Sequence, residues 1–211
     1  MAKFNNGLHG ALSGKVGGVI YSSWKGIPYV KAANATRTKS ISDKEKGNRQ
    51  KFALAQQWLR PLLNFVRIGF KGYTPTWEGF AAAKSYLMKN AMEGSGAEST
   101  INPALVKVSF GNLSLSENIS VRLTDNNELL FTWDTAYPAE GSAMDQVMLL
   151  AYDIENKQKQ YIPAGEFRHR GADTLPLAAS KGTTWHIYLA FIAHDRSRQS
   201  DSVYLGEIKI H

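Results

Sequence analysis

Hydrophobic positions follow two different periods along this chain, and the period changes near residue 100. Between residues 43 and 91, apolar side chains recur every three or four positions, which is typical of amphipathic helices. From residue 105 onward, short segments alternate apolar and polar residues, which is typical of strands with one buried face. The chain is therefore predicted to hold a helical region followed by a β-rich region.

Two helices are expected in the first pattern. Ser42, with Glu45 three positions later, matches a capping box and should begin the first helix. One apolar stripe continues through Phe52, Ala55, Leu59, Leu62, Leu63 and Val66. Pro61 lies within this stripe and lacks a backbone donor, so we expect a kink or a restart there. The second helix should open at residues 74–76, and residues 93–98 have the composition of a flexible linker.

The β-rich region contains segments of strand-like alternation separated by turn signals. The segments are residues 105–110, 119–123, 129–133, 146–152, 160–163, 166–170, 184–193 and 202–210. Roughly seven to nine short strands at this spacing indicate an antiparallel β-sandwich. Trp133 lies where a fibronectin-III-like sandwich buries a tryptophan in an early strand. We therefore expect an α+β protein with an Ig- or fibronectin-III-like β-sandwich over residues 102–211.

The N-terminal segment, residues 7–31, is unusually rich in glycine and is predicted to form a β-hairpin. Residues 16–22 and 27–32 are β-prone, and Trp24-Lys25-Gly26 is a plausible turn between them. Pro28 marks the second strand as an edge strand, and Gly17-Gly18 suggests a bulge or a close backbone approach. A lone hairpin is marginal in water, so this one needs something to pack on. Residues 1–98 are thus predicted to form the first of two parts of the protein, which contains the hairpin and the helices.

Charge is unevenly distributed between these two parts. Residues 1–100 carry 15 Lys/Arg against 5 Asp/Glu, and residues 101–211 carry 10 against 13. The first half is thus +10 and the second −3, which gives the net charge of +7. Aromatic side chains interleave with the basic ones. These residues could bind nucleic acid through phosphate contacts and stacking; alternatively, the aromatic residues belong to the core and the basic ones form a solvated face. The candidate interaction surface comprises Tyr21, Trp24, Lys25, Tyr29, Lys31, Arg37 and Lys39.

Motifs that would carry catalytic or cofactor chemistry do not stand out. Residues 10–16 miss the phosphate-loop spacing by one residue, and Val16 stands where a Ser or Thr would bind magnesium. The chain has no cysteine, and its five histidines have no metal-ligand spacing. Asp134, Asp145, Asp153 and Asp195 lie near strand ends, where carboxylates commonly serve turns. We therefore predict no catalytic residue, no cofactor and no metal, and keep a hydrolase on the sandwich as a third hypothesis.

Targeting signals are also lacking in the sequence. The first seven residues lead into no apolar segment of a signal peptide, and no window has the length of a membrane span. We expect a soluble protein without a membrane span, located in the cytoplasm unless it is exported by another route.

Several short motifs are distributed over nearly the whole chain. They are Gly14-Lys-Val-Gly17, Trp24-Lys-Gly26, Tyr29-Val-Lys31, Arg49-Gln-Lys-Phe52-Ala, Gly69-Phe70-Lys71, Asp145-Gln-Val-Met148, Arg168, Leu175-Pro176 and Ser200-Asp-Ser202-x-Tyr204-Leu-Gly206. As a set they resemble a bacterial family of small two-part proteins that is known as a domain of unknown function. The resemblance implies the same layout, with a Gly-rich segment, helices and a C-terminal β-sandwich. It implies no activity, cofactor or catalytic residue.

The leading hypothesis for function is a non-enzymatic structural or protein-interaction module. A β-sandwich is a common scaffold for adhesion, and a Gly-rich segment that needs cover suits pairing with another chain. Such a module could belong to a larger assembly, for example a phage-like or surface-associated particle. A protein partner or self-association is therefore expected before nucleic acid.

Overall fold

The computed structural model describes residues 3–4, 11–24, 26–35, 40–136, 141–177 and 182–210. Contacts along the chain define two compact units, Met1–Ser42 and Asp43–His211. The predicted division into residues 1–98 and 102–211 stays a prediction. The compact units follow a different boundary, because the helices after residue 43 share a core with the strands that follow them.

The first unit contains a four-stranded antiparallel sheet in the order β1-β2-β3-β4. Its strands are β1 (Lys3–Phe4), β2 (Leu12–Val16), β3 (Val19–Trp24) and β4 (Ile27–Ala32). The predicted hairpin is confirmed as β3 and β4, and β2 extends it by a strand. Pro28 lies in β4, which has β3 on one side only, as expected of an edge strand.

Gly17-Gly18 forms a turn, and no atom of the described residues lies within 4 Å of a Cβ built at either glycine, so the predicted bulge or close backbone approach there is wrong. Val16 pairs directly with Val19, which leaves a two-residue connection between β2 and β3. Such connections need positive φ, and Gly17 has φ +55°. Gly26, between β3 and β4, has φ +83°, as the predicted turn requires.

The second unit begins with three helices and a short 3₁₀ segment. They are α1 (Asp43–Leu59), the 3₁₀ turn Arg60–Leu62, α2 (Leu63–Gly69) and α3 (Gly79–Asn90). α1 begins directly after Ser42, and the expected restart falls at Pro61, within the 3₁₀ turn. Ala55, Leu59, Leu62 and Val66 are fully buried, so this part of the predicted stripe is confirmed.

Three local predictions in this region are wrong. Phe52 is 49% exposed and lies outside the core clusters, and its ring has the Lys84 ammonium 3.8 Å from its centre. The second helix starts at Gly79, and Thr74 closes a turn by accepting a hydrogen bond from the Trp77 backbone N–H. Residues 93–98 are folded: β5 (Met92–Glu93) pairs with β6 (Thr100–Ile101), and Gly96–Glu98 is a 3₁₀ turn.

The remaining strands form two antiparallel sheets, which confirms the α+β class. The strands are β7 (Ser120–Leu123), β8 (Glu128–Thr132), β9 (Gln146–Asp153), β10 (Gln158–Ile162), β11 (Ala172–Pro176), β12 (Thr184–Ile192) and β13 (Val203–Lys209). One sheet has the order β10-β9-β12-β13 and the other the order β11-β8-β7. The 3₁₀ turns Pro103–Leu105 and Arg168–Arg170 stand between strands.

Within the β-rich region, two predicted strands are absent from the described residues, and one observed strand, β11, was not predicted. Residues 106–110 form no strand. Val106 and Val108 are nevertheless buried, because both side chains pack into the helical core without sheet pairing. Residues 166–170 include a 3₁₀ turn in place of a strand. β11 follows them, with Asp173 and Pro176 of low β-propensity, and its pairing with β8 decides its conformation.

The β9–β12 pair is buried on both of its faces. On one side Val147, Leu149 and Ala151 join a core with strands of the three-stranded sheet. On the other side Met148, Leu150 and Tyr152 join the core of α1, α2 and α3. The second unit therefore has three layers: helices, the four-stranded sheet and the three-stranded sheet.

A buried ion pair links Asp145 and Arg168, which come directly before β9 and shortly before β11. Arg168 is fully buried, and its Nη2 lies 3.4 Å from Asp145 Oδ2. The guanidinium also donates to Ser116 Oγ and to the Ser114 carbonyl, and it lies 4.0 Å from the centre of the Phe191 ring. Burial lowers the pKa of the Arg168 side chain, and the Asp145 carboxylate opposes that shift. Both residues belong to the motifs singled out in the sequence.

We predict that Asp145→Asn destabilises the protein by about 3–5 kcal/mol, since it leaves the Arg168 charge buried without its counter-ion. Adding Arg168→Met should recover part of this loss, so the two effects are not additive. Urea unfolding of both single variants and the double variant measures the coupling. Asp43→Asn is the control, because its pair with Lys46 is exposed. Additive losses would contradict the prediction.

We further predict that Gly69→Ala destabilises the protein by about 1–3 kcal/mol or more through overpacking. A Cβ at Gly69 would lie 2.3 Å from the Val108 carbonyl oxygen and 2.9 Å from Ser109 Cα. Gly18→Ala is the control, since no atom of the described residues lies within 4 Å of a Cβ built there. Thermal unfolding should separate the two, and equal melting temperatures would refute the close approach at Gly69.

Candidate interaction surface on the N-terminal sheet

The strand register of the first unit assigns each side chain to one of two faces. Residues directly opposite each other in an antiparallel pair share a face, and successive residues alternate between faces. Trp24 pairs with Ile27, Ser22 with Tyr29, and Ile20 with both Lys31 and Lys15. One face, the basic aromatic face, therefore contains Ser13, Lys15, Ile20, Ser22, Trp24, Ile27, Tyr29 and Lys31.

The opposite face carries no charge among the described residues. Tyr21 pairs with Val30 and Gly14, and Val19 pairs with Ala32 and Val16. This uncharged face contains Leu12, Gly14, Val16, Val19, Tyr21, Ser23, Pro28, Val30 and Ala32. Because every described lysine of β2–β4 lies on the other side, the two faces of the sheet differ in charge.

Apolar side chains remain exposed on both faces. On the basic aromatic face the exposed fractions are 54% for Trp24, 64% for Ile27 and 39% for Tyr29. On the uncharged face they are 50% for Val16 and 57% for Val30. No residue of 11–24 or 26–35 is buried, so this described part of the sheet has no core of its own.

The structure brings only part of the predicted interaction surface together. Trp24, Tyr29 and Lys31 share one face, and Tyr21 points to the other. The remaining predicted members, Lys25, Arg37 and Lys39, lie outside the described residues.

Lys15, Ile20 and Ile27 were not predicted to share a face with Trp24 and Tyr29. The signal that could have found them is the two-residue connection between β3 and β4, which fixes the register and thus the faces.

Three of the four carboxylates interpreted from the sequence as turn residues, Asp145, Asp153 and Asp195, accept hydrogen bonds from backbone N–H groups two or three residues away. Asp153 Oδ1 accepts hydrogen bonds from the backbone N–H groups of Glu155 and Asn156. Asp195 Oδ1 accepts from Ser197 N and Oγ, and these bonds lower the pKa of Asp195. Asp134 accepts from the Asn118 amide.

A shallow depression beside β8 and β11 holds Glu166, Arg170 and Asp173. The Asp173 carboxylate accepts from the backbone N–H groups of Glu166 and Thr174, so it too has a structural role. The hydrolase hypothesis predicts a concave cluster of carboxylates or histidines around strand ends. That hypothesis stays a prediction.

Other titratable side chains of the second unit are perturbed by burial. His186 Nδ1 lies 2.9 Å from the Tyr204 hydroxyl, and burial lowers the pKa of His186 against the opposing effect of Glu207 and Asp153. Burial raises the pKa of Tyr152 to about 12, and its hydroxyl donates to the Trp58 carbonyl.

Among the described residues, no group of three or more His, Asp or Glu side chains could hold a metal ion. None of the helices in the described ranges is long and apolar enough to cross a membrane.

Comparison with known families gives one match that covers both units. The model of a family of unknown function, DUF6266, matches residues 11–206. The chain belongs to this family. The DUF6266 match begins just before β2 and ends within β13, so it includes β2–β4 of the N-terminal sheet as well as nearly all of the three-layer unit. Comparison with curated proteins and with solved structures found no match.

The exposure of Trp24 is directly measurable by fluorescence quenching. Trp24 and Trp77 are 54% and 53% exposed, whereas Trp58, Trp133 and Trp185 are buried. We predict that Trp24→Phe and Trp77→Phe each remove a comparable share of the acrylamide-accessible emission, and that the double variant leaves only protected emission. An unchanged accessible fraction in Trp24→Phe would contradict the exposure of the basic aromatic face.

Proposed function

We propose that this DUF6266 protein is a non-enzymatic interaction module that self-associates through its N-terminal sheet. The uncharged face of β2–β4 packs against the same face of a second copy. The observation that carries the proposal is a four-stranded sheet whose described residues include exposed valines on a charge-free face and no buried side chain.

Hydrophobic burial supplies the driving force. A sheet of this size needs a covered hydrophobic face for stability. Fully burying a Val side chain contributes about 1.5–3 kcal/mol, and each copy brings Val16 and Val30 to the contact half exposed. Two sheets stack about 10 Å apart, which leaves no room for water between the faces.

Charge and backbone chemistry favour this face over other modes of association. Two basic aromatic faces would bring Lys15 and Lys31 of each copy together, and like charges repel. Pairing along the β4 edge is opposed by Pro28, which has no N–H to donate, and by Lys31. The uncharged face has neither obstacle.

In this proposal the three-layer unit is a scaffold, and the N-terminal sheet of the same chain connects it to a second copy. We propose that residues 102–211 are an Ig- or fibronectin-III-like sandwich within it. The support is a pair of antiparallel sheets of four and three strands with a common core, and a buried Trp133 directly after β8. The helical layer on the outer face of the four-stranded sheet departs from a simple two-layer sandwich.

Light scattering coupled to size-exclusion chromatography tests the self-association. We expect the protein to elute as a dimer or larger species, and Val30→Lys to shift it to a monomer by placing a charge on the uncharged face. Ile27→Lys is the matched control: it also replaces an exposed β-branched residue of β4, but on the opposite face. Circular dichroism checks that both variants fold.

The alternatives have distinct results in the same experiment. A monomeric unmodified protein at high micromolar concentration, or identical masses for Val30→Lys and Ile27→Lys, would refute the proposed face. A monomer that gains mass only with an added protein partner would replace self-association by a heterologous contact.

A further inference from the structure

We propose that the basic aromatic face of the N-terminal sheet binds single-stranded nucleic acid. The lysines would contact phosphates, and Trp24 and Tyr29 would stack on bases. This face is opposite to the one that the proposed function uses, so the inference goes beyond self-association and does not depend on it.

The charge of the N-terminal segment is entirely of one sign. Residues 1–42 contain six Lys and Arg residues and no Asp or Glu. Within that segment the positive charges have no carboxylate partner, so a polyanion that neutralises them releases counterions and gains affinity.

The register concentrates this charge on the aromatic side. Lys15, Ile20 and Lys31 form one row across three neighbouring strands. Strands lie about 4.8 Å apart, so the backbones of the two lysines are roughly 10 Å apart with an apolar residue between them. Two like charges held on one face repel each other, and a phosphate backbone that crosses the strands relieves the repulsion.

The aromatic rings narrow the choice among polyanions. Trp24 and Tyr29 are diagonal neighbours on adjacent strands, because Trp24 pairs with Ile27, two residues before Tyr29. Diagonal neighbours lie roughly 7–8 Å apart, within reach of successive bases of an extended strand. Exposed rings on a four-stranded sheet are a recurrent stacking platform for unpaired bases. A duplex hides its base faces, so the geometry favours a single strand.

Fluorescence anisotropy with labelled oligothymidylate and oligouridylate, on the full chain at low salt, tests the inference. We expect saturable binding that weakens steeply with salt, and a much weaker signal from a duplex of the same length. Trp24→Ala should reduce the affinity for the single strand roughly tenfold, because stacking of one base on an aromatic ring contributes substantially to the binding free energy. Lys15→Ala and Lys31→Ala should each reduce the salt slope by about 0.7.

Matched controls lie in the second unit. Trp77→Ala removes a tryptophan of equal exposure, and Lys157→Ala removes a lysine outside the sheet; both should leave the affinity unchanged. Val30→Lys separates the two proposals, because it disrupts the uncharged face only. If it is monomeric and still binds with Trp24-dependent affinity, the nucleic-acid site stands apart from self-association.

Three results would overturn the inference. They are an absence of binding at low salt, equal binding of duplex and heparin with no effect of Trp24→Ala, and a loss caused equally by Trp77→Ala. The second result would mean that the lysines attract any polyanion by charge alone. Loss of binding in Val30→Lys with an unchanged mass would overturn the assignment to the opposite face.

Discussion

Burial of β9 and β12 on both faces is the constraint on which the second unit depends. Their side chains alternate between two cores, so neither the helices nor the three-stranded sheet can be removed without exposing one side of the same strands. Strands covered on both sides are expected to be nearly continuous apolar runs, and residues 147–152 and 187–193 are. This explains why the helical segment and the β-rich segment form one compact unit although their sequence patterns differ.

The Arg168–Asp145 pair has a desolvation cost that the surrounding contacts offset in part, because Arg168 Nε has no hydrogen-bond partner among the described residues. Removing a guanidinium from water is expensive, and here a carboxylate, a hydroxyl, a carbonyl and an aromatic ring surround it. The Arg168 carbonyl also accepts from Trp133 Nε1, whose ring packs against Phe191. The pair therefore joins the turn before β9 to the turn before β11 and to Trp133, directly after β8.

The N-terminal sheet follows a different physical logic. It has turn glycines and regular pairing, but its described residues lack a core, and its two faces differ in charge. One face is suited to exclude water against a similar surface, and the other is suited to attract an anion. In the two proposals above, this separation onto opposite faces would let one small sheet contact two partners without burying a lysine.

Local pattern determined much of this protein in advance. The α1 stripe, the restart at Pro61, the edge strand with Pro28 and most strands after residue 118 follow from periodicity, capping and turn chemistry, which act between near neighbours. The tertiary structure alone decided the rest. β11 exists because β8 offers it a partner, Val106 and Val108 are buried without a strand, and Asp145 meets Arg168 across 23 residues. The register likewise separated Tyr21 from Trp24 and Tyr29, which composition had grouped together. The two-residue connection between β3 and β4 sets this register locally. The other outcomes depend on long-range pairing and shared burial, and no short window of sequence contains both partners.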